Sequence, residues 1–295
     1  METDYKFRIR GMDRPPTEMH FRHDDQNVNE NHILQFLRAG GAYEPDVTNL
    51  FRLALRPGDA LVDIGANVGY FSVLGGLLVG PGGRVISAEP DPKNIDRIRL
   101  QCRLNGLEGI DVVDRPLAEA ERDAEFFFNA KSSGGNALWD PVKFNGDAGM
   151  SGGARTMRTT TLDAVLAERG LDGARLVKID TEGAEQLILR GAGDLLDRKA
   201  IRFIVAEMHQ KGLAQLGGGL DEMLGYMAGK GYLCFLLYYD GRPPQFLAPG
   251  MAYTAEVMCN ALFSTPDGYA ELWPAITHNP GMERDPVTGK LRLHT

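Results

Sequence analysis

Between residues 60 and 206 short apolar runs alternate with segments of helical period, an order that confines the chain to a parallel sheet joined by crossover helices. The runs fall at 60–64, 84–88, 110–113, 176–179 and 201–206. Helices are expected over about 68–78, from Pro92 to the Asn105-Gly106 stop, over 162–168 and over 183–189. Asp91 is placed to cap the second of these, with Pro92 at its first position and Ile95, Ile98 and Cys102 as its buried stripe. Ahead of the first strand, Val47, Leu50, Phe51 and Leu55 recur at helical spacing until Pro57-Gly58 breaks the pattern. A further helix is expected over 220–227. Two apolar runs, 232–239 and 257–263, carry no helix signal between them and read as a closing antiparallel hairpin. Residues 125–128 and 157–160 read as another hairpin. The Gly-, Ser- and Asn-rich stretch between them, 131–153, is either a surface loop or a lid.

The α/β pattern implies a domain over 46–265, preceded by an appendage of weak periodicity (1–45) and followed by a Pro/Gly-punctuated tail (266–295). With 32 basic against 40 acidic residues, the formal charge of -8 argues against a surface built for nucleic-acid phosphates or anionic lipid. The strongest apolar run, 70–80, is about half the length of a membrane span, so none is expected. Mixed charges such as Glu2, Asp4, Lys6 and Arg8 replace the apolar core of a secretory signal, and the expected compartment is the cytoplasm. Cys102, Cys234 and Cys259 lack metal-ligand spacing and read as buried thiols.

At the tip of the first strand stands Asp63-Ile64-Gly65-Ala66-Asn67-Val68-Gly69. Glycine there lets a ligand approach the backbone, and the helix that follows offers unpaired N–H groups. A dinucleotide site would show G-x-G-x-x-G. Here an acid, Asp63, and Asn67 occupy that neighbourhood. A carboxylate repels pyrophosphate and attracts an ammonium, which suggests a ligand with a cationic amino-acid moiety. S-adenosylmethionine has one. Glu89 ends the second strand, one strand-helix-strand step later, where an acid can accept both ribose hydroxyls.

With these residues the chain resembles the FkbM-type S-adenosylmethionine-dependent O-methyltransferases. The resemblance rests on DIGANVGYFS (63–72), AEPDPKN (88–94), LVKIDTEGAE (176–185) with Gly191 beyond it, and Asn260-Ala261-Leu262-Phe263. Tyr43-Glu44 also looks like the family's leading helix. The resemblance covers about residues 40–265 and implies a class I methyltransferase fold. That is a Rossmann-like, mostly parallel seven-stranded sheet with the last strand antiparallel and helices on both faces. It further implies cofactor contacts from Glu44, Asp63, Gly65, Ala66, Asn67, Gly69, Glu89, Pro90 and Asp180. In such a fold Pro116 and Leu117 would form the adenine wall.

Asp180-Thr181-Glu182-Gly183 meets the same crevice at the end of its strand. The Asn/Asp-Pro-Pro-aromatic motif that base-amino methyltransferases of nucleic acids carry there is missing, so no nucleic-acid partner is expected. Methylating an oxygen requires a base near the transferred methyl, and Asp180, Glu182, Glu207 and His209 are the candidates. Glu182 is equally suited to cap the helix after it. Histidine has the appropriate acidity, and Glu207 and His209 fall on one face of an extended strand. Those four side chains could bind Mg²⁺, yet carboxylates at strand ends also hold a ligand amine, and no metal is expected. The acceptor is expected to be a small molecule or a glycan- or lipid-linked one, such as a sugar, a polyketide or a glycolipid head group. The rival readings are an NAD(P)-dependent oxidoreductase and a non-catalytic cofactor-binding protein of the same fold.

Overall fold

The computed structural model describes residues 2–9, 16–39, 41–239, 244–248, 250 and 259–272, and the backbone of 282–284 and 291–293. Its first element is a hairpin of β1 (Glu2–Ile9) and β2 (Thr17–Asp24), paired antiparallel from Glu2↔Asp24 to Ile9↔Thr17. Asn27 caps α1 (Val28–Arg38) by accepting from the amides of Asn29 and Glu30. Within the 1–45 stretch the described residues thus form a hairpin and a helix, which its weak periodicity did not mark. Ile9, Met19, Phe21, Ile33 and Leu37 are all buried.

From α2 (Pro45–Ala54) the expected alternation follows: β3 (Ala60–Ile64), α3 (Tyr70–Val79), β4 (Arg84–Ala88), α4 (Pro92–Leu104) and β5 (Asp111–Val113). Asp91 caps α4, its side chain accepting from the Lys93 amide. Next, β6 (Asp123–Asn129), α5 (Pro141–Asn145) and β7 (Ser151–Arg158) form the second hairpin and its insertion. It is a two-stranded ribbon apart from the main sheet, longer than the alternation alone suggested. The chain continues through α6 (Leu162–Ala167), β8 (Ala174–Ile179), α7 (Glu185–Arg190), α8 (Gly193–Asp197), β9 (Ile201–Glu207), α9 (Gln210–Gln215) and α10 (Leu220–Gly229). It closes with β10 (Leu233–Leu237), β11 (Gln245–Leu247), β12 (Asn260–Ser264), α11 (Pro266–Leu272) and a small pair, β13 (Met282–Arg284) with β14 (Leu291–Leu293). Val257 and Met258 of the expected closing strand, and most of the tail, lie outside the described residues.

The main sheet has the order β11-β10-β12-β9-β8-β3-β4-β5. Strands β3, β4, β5, β8 and β9 run parallel, and β12 enters antiparallel between β9 and β10. This mainly parallel sheet with an antiparallel late strand fits a class I methyltransferase fold. Its strand count corrects the expected seven: the sheet is 8-stranded, because β11 pairs with the outer edge of β10. A strand of 3 residues is too short to show a period-two pattern.

Alternate side chains of the parallel strands feed two cores. Val62, Ile64, Val177 and Ile179 join Leu166, Ile188, Leu189 and Met223 on one face. Leu61, Leu176 and Val205 join Phe51, Leu74 and Ile98 on the other, together with Met19 and Phe21 of the first hairpin. That hairpin is pinned to α4 by polar bonds, since the Gln101 side chain donates to the Arg22 carbonyl at 2.6 Å and Arg97 grips fully buried Glu30. At the N-terminal edge of the sheet, Arg175, Arg202 and Arg56 donate to Glu271 of α11 (3.0, 2.8 and 3.1 Å). Hydrogen bonds from Arg175 and then Arg56 hold that carboxyl down at about 2 despite partial burial. Among the described residues no helix is long and apolar enough to cross a membrane. All three cysteines are buried.

Candidate functional site

The glycine turn after β3 is wedged between neighbouring backbones. Gly65 has φ +80°, and a Cβ there would lie 1.8 Å from the Asp180 carbonyl oxygen, so the close crossing of two strand tips admits only glycine. The amides of Gly65 and Ala66 donate to the Ala88 carbonyl at 2.9 and 3.1 Å. Asn67 adopts φ 50°, and its amide donates to Glu89 Oε2 at 2.9 Å. Asp91 donates its amide to the other Glu89 oxygen at 2.9 Å. Each carboxylate oxygen keeps a further lone pair for a ligand hydroxyl. Burial pushes Glu89 up to about 8, against these bonds that favour its ionised form.

Asp63 is fully buried. Its Oδ2 accepts from the Ser72 hydroxyl at 2.6 Å, which accepts from Ser87 at 2.7 Å, while Oδ1 has no partner. Burial raises this carboxyl too, against the pull of Lys178. Glu44 stands before α2 with φ 41°, buried at 7% exposure and pushed up to about 8 by desolvation.

A cavity of about 380 Å³ opens at the C-terminal edge of β3, β4, β8 and β9, within the range of small-molecule sites. Glu44, Asp63, Gly65, Ala66, Asn67, Glu89, Pro90, Pro116, Leu117, Asp180, Glu182 and Glu207 all line it. Two residues singled out from the sequence do not. Gly69, at φ +90°, starts α3 and leaves room for Ile98 of α4, whose Cα an added Cβ would meet at 3.1 Å. His209 is set beside the cavity, with Nδ1 3.1 Å from Glu182 Oε2. That contact raises the imidazole's pKa, with burial opposing.

The loop after β8 is held from inside. Glu185 Oε1 accepts from the Thr181 and Gly183 amides at 2.9 and 3.1 Å, so this third acid of the motif braces the turn. Glu182, at φ 58°, accepts the Trp139 indole N–H on its carbonyl at 2.7 Å. Glu207 is driven well above the ordinary carboxylate range by burial and then by Asp180 and Glu182. Donor atoms of Glu182, Glu207 and His209 lie within 4.8 Å of one another, close enough to share a proton or a cation.

Several lining residues carried no readable sequence signal. Asn29, His32 and Phe36 of α1 line the cavity, so the N-terminal segment walls the site. The Asn29 side chain donates to Asn67 at 3.1 Å and to Ser133 at 2.7 Å. Asn136 donates to Asp91 at 3.1 Å. The first part of the 131–153 stretch is thereby packed over the glycine turn. Lys178 is the other omission, although a lysine inside Leu176-Val177-Lys178-Ile179 is conspicuous among apolar neighbours.

A class I sheet with an acid–glycine turn and a second acid at its C-terminal edge defines a methyltransferase architecture. Residues 63–234 match the family described as the methyltransferase FkbM domain, and the chain belongs to that family. The 31-O-demethyl-FK506 methyltransferase FkbM of Streptomyces tacrolimicus is 29% identical over 199 residues, 60% of this chain and 74% of that protein. Hexuronic acid methyltransferase AglP of Haloferax volcanii is 25% identical over 187 residues, 62% of this chain and 68% of its own. The AMB antimetabolite synthetase AmbE of Pseudomonas aeruginosa is 27% identical over 228 residues, which span 67% of this chain and 10% of the synthetase. Among solved structures, methyltransferase FkbM from Methylobacillus flagellatus KT aligns at 16% identity and a TM-score of 0.44, covering 82% of this chain and 55% of that one.

Proposed function

We propose that the chain transfers a methyl group from S-adenosylmethionine to a hydroxyl of a small or carrier-bound molecule, such as a sugar, a polyketide or a glycolipid head group. One observation carries the reading: a backbone turn that only glycine permits, a buried acid held by two amides and a ring of carboxylates converge on one cavity. These residues fit the cofactor. The unpartnered Asp63 oxygen and the acids Glu44 and Asp180 suit its amino-acid end, Glu89 with Pro90 its ribose, and Pro116 with Leu117 its adenine. When bound, the cofactor supplies an electrophilic methyl on a sulfonium.

The chain's own residues do the rest. The turn from Gly65 to Gly69 orients the donor, and α1 with the Ser133 region covers it against water. Glu182, backed by the His209 imidazole, takes the acceptor's proton at the cavity wall and hands it to His209, with Asp180 and Glu207 flanking. We read that cluster as proton-handling, with no resident metal. Acids at the mouth and the net charge of -8 oppose a phosphate backbone, which supports an acceptor other than nucleic acid. Two relatives named for an O-demethylated compound and for a hexuronic acid support an oxygen acceptor on a small molecule or sugar.

The test is an acceptor screen with labelled S-adenosylmethionine, followed by His209→Ala and Glu182→Gln on the acceptor found. Each should lower kcat by about a hundredfold. Normal turnover in both variants removes the base assignment, and a donor other than the sulfonium compound removes the reading itself.

A further inference from the structure

Lys178 is the last residue but one of β8, 4% exposed, where an unmatched ammonium would be strongly disfavoured. Its Nζ donates to Asp180 Oδ2 at 2.6 Å and stands 4.8 Å from the centre of the Phe71 ring. It pairs in register with Asp63 of β3, and both line the cavity. The charges that act on it most are all negative, from Asp180, Glu44 and Asp63. The start of α2 contributes Glu44 and Asp46, the latter accepting from the Asn260 amide at 3.1 Å. The turn after β8 contributes Glu182 and Glu185, and the end of β9 contributes Glu207, with His209 beyond it. The hydroxyls of Tyr43, Tyr70 and Tyr239 complete the surroundings, each phenol pushed upward by burial.

We propose that Lys178 is the positioning residue of the cofactor site, its ammonium holding the Asp180 and Glu44 carboxylates in place for the cationic end of the cofactor. The inference rests on the reading of the site as one for S-adenosylmethionine. Physically, the lysine resolves a conflict: a cationic ligand needs ionised carboxylates, yet burial favours their neutral form. Lys178 pulls Glu44, Asp46 and Asp63 back toward ionisation. In return Asp180, Glu44 and Asp63 outweigh its own desolvation and keep it charged. Glu44 at about 8 is still largely protonated at neutral pH, so cofactor binding should strengthen as pH rises toward that value, above which the ligand's own α-ammonium, with a pKa of about 8, begins to lose its charge. Without the ammonium, Glu44 rises further, and the same strengthening moves to higher pH.

The experiment is calorimetric titration with S-adenosylmethionine and with S-adenosylhomocysteine between pH ~6.5 and ~9.5, on the wild type, Lys178→Met and Lys178→Arg. Lys178→Met should weaken binding about tenfold or more at pH ~7, the gap narrowing to about threefold by pH ~9.5. Lys178→Arg should stay within about threefold throughout. Equal affinity in wild type and Lys178→Met, or a loss of the same factor at every pH, overturns the proposal. Should Lys178→Met fail to fold by near-ultraviolet circular dichroism, Glu44→Gln serves instead. It should abolish the rise in affinity between pH ~6.5 and ~8, and an undiminished rise overturns the proposal equally. A wild type that binds neither compound removes the proposed function and this inference with it. Binding by the wild type together with an indifferent Lys178 removes the inference alone.

Discussion

The two edges of the sheet treat glutamate in opposite ways. At the N-terminal edge Glu271 is surrounded by Arg56, Arg175 and Arg202, and hydrogen bonds from Arg175 and Arg56 hold its carboxyl down at about 2. At the C-terminal edge Glu44 and Glu89 are pushed up to about 8 by burial, and Lys178 is the ammonium that Glu44, Asp63 and Asp180 share. The first arrangement is complete in itself: three guanidiniums of the chain satisfy one carboxylate, and it ties β8, β9 and α11 together. The second is short of positive charge and lines a cavity. A cationic ligand completes it, which is how a site differs from a brace.

The largest expected effect breaks the second edge sterically. Gly65→Ala places a Cβ 1.8 Å from the Asp180 carbonyl oxygen at a φ of +80°, so the strand tips must part. Urea denaturation should show a loss of about 3 kcal/mol or more, and stability within about 0.5 kcal/mol of wild type would mean the tips are not so tightly crossed.

Next comes the brace. Glu271→Gln should cost about 2 kcal/mol at neutral pH and leave cofactor affinity untouched. Because the folded pKa is depressed, the stabilisation is present above pH ~4.5 and disappears as pH falls through about 2. The acid limb of wild-type stability should therefore flatten in the variant, and a limb that keeps its slope assigns acid sensitivity elsewhere.

His209 runs with the opposite sign. Its folded pKa is raised by Glu182, so the pair's stabilisation is full below pH ~6.5 and fades as pH rises through the folded value. Turnover that needs the neutral imidazole should climb over the same window. Glu182→Gln should shift that limb of kcat/KM toward acid, and an unmoved limb would separate the two residues functionally.

The smallest effect concerns the N-terminal wall. Asn29→Ala removes bonds to Asn67 and Ser133, and should lower cofactor affinity about threefold at a stability cost near ~1 kcal/mol. Unchanged affinity would make α1 a bystander.

The central strands were legible because each is an apolar run bounded by glycine, proline or a cap, and Asp91-Pro92 announces α4 without tertiary help. Residues at strand tips were legible as a group for a topological reason: parallel strands end on one crevice, so Asp63, Glu89 and Asp180 had to meet. The first hairpin was less so. Tyr5, Phe7 and Ile9 do alternate with charges, as do Met19 and Phe21, but the pattern is short. What fixes it is the distant grip of Arg97 and Gln101 on Glu30 and Arg22. Asn29 and Ser133 lie 104 positions apart, and nothing local marks their meeting. Lys178 was visible as a charge among apolar residues, while its partners depend on α2 lying across β8. His209 was placed one layer too close, since it reaches the cavity's edge through Glu182.

The central claim is that the C-terminal edge is a cation-seeking cofactor site, and calorimetric titration of the wild type and Glu89→Ala with S-adenosylmethionine, then with NAD(H), tests it most directly. The account predicts binding of the sulfonium compound, no preference for NAD(H), and a loss of about a hundredfold in Glu89→Ala with the fold intact. Folded wild-type protein that ignores S-adenosylmethionine, or binds NAD(H) in its place, would contradict it.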